Sequence, residues 1–214
     1  MMRGFGLGVA LAALLACGCV CPAFDAEAMR AEPLVRIVDV DPRIRIDLRY
    51  ATTDNFTSRV LYDAPEAYLR ASVAERLRGA QDDLARDGLF LVVYDAYRPW
   101  SAQWTLWTVV ADPDYVADPR KGSRHNRGAA VDVGLVDASG RSLPMPSAYD
   151  EFTTRAHRDY DGCTPEERAN RERLERALYA QGFTGLATEW WHFDAPHWAW
   201  YPILDEPLRG AVRR

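Results

Sequence analysis

Apolar residues recur at helical spacing through Leu69, Val73, Leu77, Ala80 and Leu84. That period predicts a helix over Ala64–Arg86, with Pro65 in the first turn, where a missing N–H costs nothing, and Asp87-Gly88 at its end. The pattern then changes. Leu89 to Tyr94 is an unbroken apolar run and predicts a buried strand; Ala129 to Asp137 predicts a second, turned back by Ala138-Ser139-Gly140. Thr164 to Gln181 carries the clearest helix signals: Thr164 and Glu167 at capping-box spacing, Pro165 at the first helical position, and Gly182 after the end. A last strand is expected near Thr188–Asp194. Alternating apolar residues in Glu32–Asp39 and Ile44–Leu48, parted by Asp41-Pro42, predict two short strands, and Ser101–Val110 predicts a short helix capped by Ser101. Asp112 to Gly128 reads as a polar loop. Strands and helices follow one another without βαβ regularity. The expected fold class is therefore α+β, a small and mainly antiparallel sheet flanked by helices.

Composition narrows the picture. At 214 residues the chain is long enough for one domain with its own core and short for two. A hydrophobic fraction of 48% and a charged fraction of 27% are those of a globular protein. The net charge of −5, with both signs interspersed and no basic block, argues against nucleic acid as a partner. The start of the chain is different in kind. After Met1 to Arg3, residues 4–20 are small, apolar and uncharged, too short and too rich in Gly and Ala for a membrane span and of the length of a signal-peptide core. Two exits are open. Leu14-Leu15-Ala16-Cys17 resembles a lipobox, which would make Cys17 a lipidated N-terminus, and Ala26-Glu27-Ala28 is an A-x-A site for ordinary cleavage. The expected organisation is a leader over residues 1–28 and one domain over 29–214. The chain is expected to be exported, periplasmic or anchored on the periplasmic side, and to meet a membrane only through the leader or a lipid. Cys17, Cys19 and Cys21 crowd that leader and only Cys163 lies in the body, so neither a disulfide framework nor a cysteine zinc site can be built.

Three segments carry candidate chemistry. In Ser123-Arg124-His125-Asn126-Arg127-Gly128-Ala129-Ala130-Val131-Asp132, a loop histidine precedes a strand aspartate, and imidazole nitrogen and carboxylate oxygen both suit Zn²⁺. A straight strand would part them by roughly 23 Å, so the loop must fold back. In Glu189-Trp190-Trp191-His192, a carboxylate precedes a histidine by three residues and could supply a general base and a further ligand. On a strand those two would point to opposite faces, so a local twist or bulge is required to aim them together. In Tyr94-Asp95-Ala96-Tyr97-Arg98-Pro99, Arg98 at a strand's end could clamp developing oxyanion charge, or could form a structural ion pair, for which Asp95 could serve. The remaining histidines, His157 and His197, read as surface or packing residues.

The ordered set Ser123, His125, Gly128, Ala130, Asp132, then Glu189 and His192, with Tyr97-Arg98-Pro99 upstream, resembles the family of D-alanyl-D-alanine dipeptidases known from vancomycin resistance. That family is related to zinc D-Ala-D-Ala carboxypeptidases and shares its fold with the hedgehog signalling domain. The likeness extends to Tyr50-Ala51-Thr52-Thr53-Asp54-Asn55-Phe56-Thr57, to Pro144-Met145 with Tyr149-Asp150, and to Arg171, Arg173 and Leu174 ahead of Gly182-Phe183. It spans about Val35 to Phe193; the stretch from Pro99 to Ser123 is shorter than in the resistance enzymes, which concerns the pocket wall. The resemblance implies one zinc ion per chain held by His125, Asp132 and His192. It implies Glu189 as catalytic base, Arg98 as transition-state stabiliser, and Tyr50, Ser123 and Asp150 as substrate-binding positions. It implies a small D-amino-acid dipeptide as substrate, D-alanyl-D-alanine foremost, in cell-wall peptide turnover. A carboxypeptidase acting on longer stem peptides, and a zinc-containing peptide-binding module without catalysis, are the alternatives.

Overall fold

The computed structural model describes residues 26–209. Its elements in chain order are α1 (Ala26–Ala31), β1 (Leu34–Arg36), α2 (Ile37–Val40), β2 (Arg45–Ile46), β3 (Tyr68–Arg70), α3 (Ala71–Ala85), β4 (Leu89–Asp95), α4 (Trp100–Val109), β5 (Ala130–Asp137), α5 (Pro165–Ala180), β6 (Thr184–Leu186) and β7 (Glu189–Asp194). The main sheet has the order β2-β4-β5-β7-β6, and β1 pairs with β3 in a separate two-stranded ribbon. Every pairing is antiparallel except the short edge contact of β2 with β4, which is parallel. The α+β reading therefore holds, and one apolar core joins the sheet to α3, α4 and α5. The expected leader lies outside the described residues over 1–25; its last three residues belong to α1. Among the described residues, no helix is long and apolar enough to cross a membrane.

Several boundaries differ from the pattern. The helix expected from Ala64 begins at Ala71, because Tyr68–Arg70 pairs with Leu34–Arg36 instead. Leu69 is buried from that strand, so its spacing from Val73 satisfied the helical period without being helical. Of the strand expected over Glu32–Asp39, three residues are extended; Ile37–Val40 curls into a turn closed by Asp41 N–H donating to the Ile37 carbonyl at 2.9 Å. Ser101 does not cap its helix. It lies inside α4, where its N–H donates to the Asp205 carboxylate at 2.8 Å, so the C-terminal segment supplies the cap. The expected box on α5 forms: Glu167 N–H donates to Thr164 Oγ1 at 3.2 Å, and Thr164 N–H to Glu167 Oε2 at 2.7 Å. β6 carried no signal, since its Thr-Gly-Leu sequence has no period of its own.

Two irregularities position the site. Between β4 and β5 the register shifts, Val93 facing Val133 and Asp95 facing Asp132, so Tyr94 is the extra residue. Between β6 and β7, Gly185 faces Phe193 while the next residue, Leu186, faces Glu189, so Trp190, Trp191 and His192 are extra on β7. Bulges bend a strand and re-aim its side chains, and this one brings Glu189 and His192 to the same cleft.

Candidate active site

Three facing residues form a row across the centre of the sheet: Asp95 on β4, Asp132 on β5 and His192 on β7. His125 joins the row from a single 3₁₀ turn, His125–Arg127, closed by Gly128 in the left-handed region at φ 65°. Only glycine fits there. A Cβ would sit 2.6 Å from Leu34 Cδ2 and 3.4 Å from the Arg70 nitrogen, which donates to the Gly128 carbonyl at 3.0 Å. Asn126 fixes the same turn, accepting from Ser123 N–H at 2.7 Å and donating to the Arg98 carbonyl at 2.9 Å. The turn thus folds His125 back towards Asp132, as the spacing required.

His125, Asp132 and His192 are all buried and offer one donor atom each within 4.8 Å of one another. His125 Nε2 lies 3.3 Å from Asp132 Oδ1, His192 Nδ1 lies 3.0 Å from the same oxygen, and the two nitrogens are 3.2 Å apart. The far sides of all three are committed. His125 Nδ1 donates to the Ala96 carbonyl at 2.7 Å, His192 Nε2 to Asp194 Oδ1 at 2.9 Å, and Tyr149 donates its hydroxyl to Asp132 Oδ2 at 3.0 Å. A carbonyl can only accept, so the proton of a neutral His125 sits on Nδ1 and its Nε2 lone pair faces inward. Burial favours neutral His192, but Asp132 and Asp194 outweigh it and push its pKa up to about 10. Burial likewise raises Asp132, and the two imidazoles outweigh that, holding its carboxyl well below the ordinary range. An inward lone pair on His125 beside a carboxylate, with positive charge favoured at His192, makes the surroundings of a cation. Two imidazoles and one carboxylate oxygen, their orientation fixed from behind, fit zinc.

Around this centre runs a cleft of about 850 Å³. Arg98, Glu189, Tyr50, Asp150 and Ser123 all line it, so every residue singled out from the sequence reaches one space. Burial raises the Glu189 pKa, with His192 opposing, and its Oε2 is 3.9 Å from His192 Nδ1. Arg98 is buried and does pair with Asp95, through Nε at 3.0 Å and Nη2 at 2.5 Å, while Nη1 donates to Gln103 Oε1 at 2.7 Å. Burial alone would lower the guanidinium pKa; Asp95 reverses the sign and keeps it charged. The ion pair and the clamp are therefore compatible, since the pair leaves N–H groups on Nη1 and Nη2 to face the cleft. Tyr50 donates its hydroxyl to Asp150 Oδ2 at 2.9 Å and lies under the Arg98 guanidinium at 5.2 Å. Burial, and then Asp132, push Asp150 well above the usual carboxylate range. Ser123 Oγ accepts from His125 N–H at 3.2 Å, leaving its own proton to give.

Some functional groups carried no role in the sequence. Asp194 orients His192; two residues apart on one strand, they share a face, and that spacing was the available signal. Tyr149 steadies Asp132 and stacks on Tyr94 at 4.9 Å between centroids. Gly134 leaves the room for Tyr94, because a Cβ there would sit 2.5 Å from the Tyr94 hydroxyl. Tyr62 donates to Asp95 at 2.5 Å. His157 lines the cleft, whereas His197 is exposed.

Comparison with known proteins identifies the family. Residues 30–207 match the model of the peptidase family M15, described as D-Ala-D-Ala dipeptidase. A D-alanyl-D-alanine dipeptidase of Escherichia coli K12 is 38% identical over 173 residues, 81% of this chain and 90% of its own. Those of Enterococcus faecium and Streptomyces coelicolor are 31% and 32% identical, covering 77% and 72% of this chain and 88% of each relative. Matched along nearly its whole described length, the chain belongs to the M15 peptidase family of D-Ala-D-Ala dipeptidases.

Proposed function

We propose that this protein is a zinc dipeptidase that hydrolyses D-alanyl-D-alanine to two molecules of D-alanine. The observation that carries the reading is the convergence of His125, Asp132 and His192 with Glu189 and Arg98 in one cleft. Those three donors would hold the metal. Zinc in such a site supplies Lewis acidity, lowering the pKa of a bound water to roughly 7. Glu189, set beside His192, takes the proton of the attacking water and hands it to the departing amine. Proton transfer by a positioned group is worth about 10²–10⁴-fold. Burial suits Glu189 to this, because a raised carboxyl pKa makes it a better proton acceptor. Arg98, held in plane by Asp95 and Gln103, presents its remaining N–H groups to the oxygen that gains charge, and does so without reorganising. Asp150, carried on the chain beside Tyr149, is the partner for the substrate's free ammonium, which would favour its ionised form. A site that binds both ends of a dipeptide leaves charged groups unpaired when a longer peptide enters, and so rejects it.

The test is D-alanine release from D-Ala-D-Ala, with and without a chelator, beside a D-Ala-terminated pentapeptide. Chelator-sensitive release from the dipeptide alone is expected. Release from the pentapeptide alone would move the reading to a carboxypeptidase, and release from neither to a peptide-binding module. The apolar, uncharged run over residues 4–20 supports export, and a role in recycling cell-wall peptides on the periplasmic side follows from it. Recovery of the chain, with residue 1 intact, from the cytosolic fraction would overturn that placement.

A further inference from the structure

The dipeptide presents two charges, and the residues described so far answer only the ammonium with a charge of opposite sign. Arg98, paired with Asp95 and Gln103, gives its remaining N–H groups to the oxygen at the scissile bond. Arg127 gives Nη1 to the Tyr201 carbonyl. Lys121 lines the cleft from the exposed loop, as a point charge without a fork. Arg124 differs from all three. It follows Ser123 in sequence, lines the same cleft, and is 37% exposed in its side chain. Its Nε lies 3.2 Å from Asp194 Oδ2, and its guanidinium stacks over the Trp198 ring at 4.8 Å. Asp194 holds that edge by charge alone, since Nε makes no hydrogen bond, and the Trp198 ring beneath sets the plane of the guanidinium. The other edge, Nη1 with Nη2, makes no hydrogen bond among the described residues. A planar pair of N–H groups held this way matches a carboxylate bidentately, which a lysine cannot do.

The placement agrees with the polarity of the substrate. Asp150 enters the site beside Tyr149, the partner of Asp132. Arg124 enters beside His125 and Asp194, the partner of His192. We propose that Arg124, with the Ser123 hydroxyl beside it, binds the substrate's terminal carboxylate and makes a free C-terminus a requirement for cleavage. Arg124 then also holds the product that leaves by its amine, since that residue bears the carboxylate. This inference rests on the dipeptidase reading.

The experiment compares kcat/KM for D-Ala-D-Ala and for its C-terminal amide, using the full chain, Arg124→Gln and Arg124→Lys, with metal content measured on each. The wild type is expected to prefer the acid over the amide by about 10–100-fold, the range of a charge-assisted pair. Arg124→Gln should lose that preference through the acid alone, and Arg124→Lys should keep part of it. Equal cleavage of acid and amide by the wild type would overturn the proposal. So would a loss in Arg124→Gln that falls equally on both substrates, which is what an effect through Asp194 and His192 would give. If the zinc-loaded chain cuts neither, the dipeptidase reading fails separately, and calorimetry with D-Ala-D-Ala decides the carboxylate: binding weakened about tenfold or more by Arg124→Gln sustains the proposal, and unchanged or absent binding overturns it.

Discussion

The strand side of the cleft and its loop side are built by different means. On the strand side, Asp95, Asp132 and His192 are set by main-chain pairing across three strands, and each has a second partner behind it. On the loop side, Ser123 and Asp150 stand on segments tied mostly by short-range bonds, such as Ser123 N–H to Asn126 and Thr153 Oγ1 to Glu151. Asp150 itself is at φ 58°, a turn conformation. Groups that break bonds need fixed geometry, and groups that select substrates need only a surface that loops can supply. The division leaves Asp132, Glu189 and His192 to the sheet and choice of substrate to the loops, with His125 and Arg98 held against the sheet from a turn and from the exit of β4.

The comparison breaks most completely at His125. His125→Ala is expected to lose both metal and D-alanine release; full metal occupancy by elemental analysis would contradict the ligand set. Glu189→Gln should separate the two properties, keeping the metal while kcat falls by about 10²–10⁴-fold, and wild-type turnover would remove Glu189 from its role. Asp95→Ala asks what the strand side costs to disturb. It leaves the Arg98 guanidinium buried without its carboxylate, a loss of about 3–5 kcal/mol to be read from urea unfolding. A change below about 1 kcal/mol would mean that Gln103 suffices. Tyr149→Phe sharpens the contrast, because Tyr149 stands on the loop side and steadies a strand residue. Metal affinity should fall about tenfold in a chelator competition with little change in kcat, and an unchanged affinity would make the hydroxyl a bystander. The smallest effect belongs to a site outside both regions: Thr164→Ala removes the α5 cap and should cost about 1 kcal/mol in thermal unfolding while leaving turnover alone.

What could be read in the sequence follows the same division. His125, Asp132, Glu189 and His192 stand in two short segments whose residue types are few and specific, so the centre was legible before any fold was known. Its supports were not. Asp95 meets Arg98 within one turn of chain and was foreseen as a salt-bridge partner, but its place opposite Asp132 depends on a bulge at Tyr94 that no local pattern records. Tyr149 touches Asp132 only because β5 and the segment after it return to the same space. Ser101 looked like a cap because its type suits one, whereas it lies inside the helix and its own N–H is capped by Asp205, far along the chain. Leu69 shows the limit of periodicity: a position four residues before Val73 is apolar in a helix and equally apolar in a buried strand.

The row Asp95–Asp132–His192 also bears on the order in which the molecule is made. Two of its members are metal donors, and His192 stands 60 residues beyond the Asp132 it faces, so the donor set His125, Asp132 and His192 cannot exist in any early local hairpin. Contacts of long sequence separation carry the closure entropy of all the chain between them, and form late. A metal that finds its ligands only in the finished sheet binds the native state and not its precursors. It therefore acts on folding by mass action, adding RT ln(1 + [M]/Kd) to stability. Metal starvation would then show first as a chain easier to unfold and digest, and the cell's supply of zinc would govern how much of this protein persists as well as how fast it works.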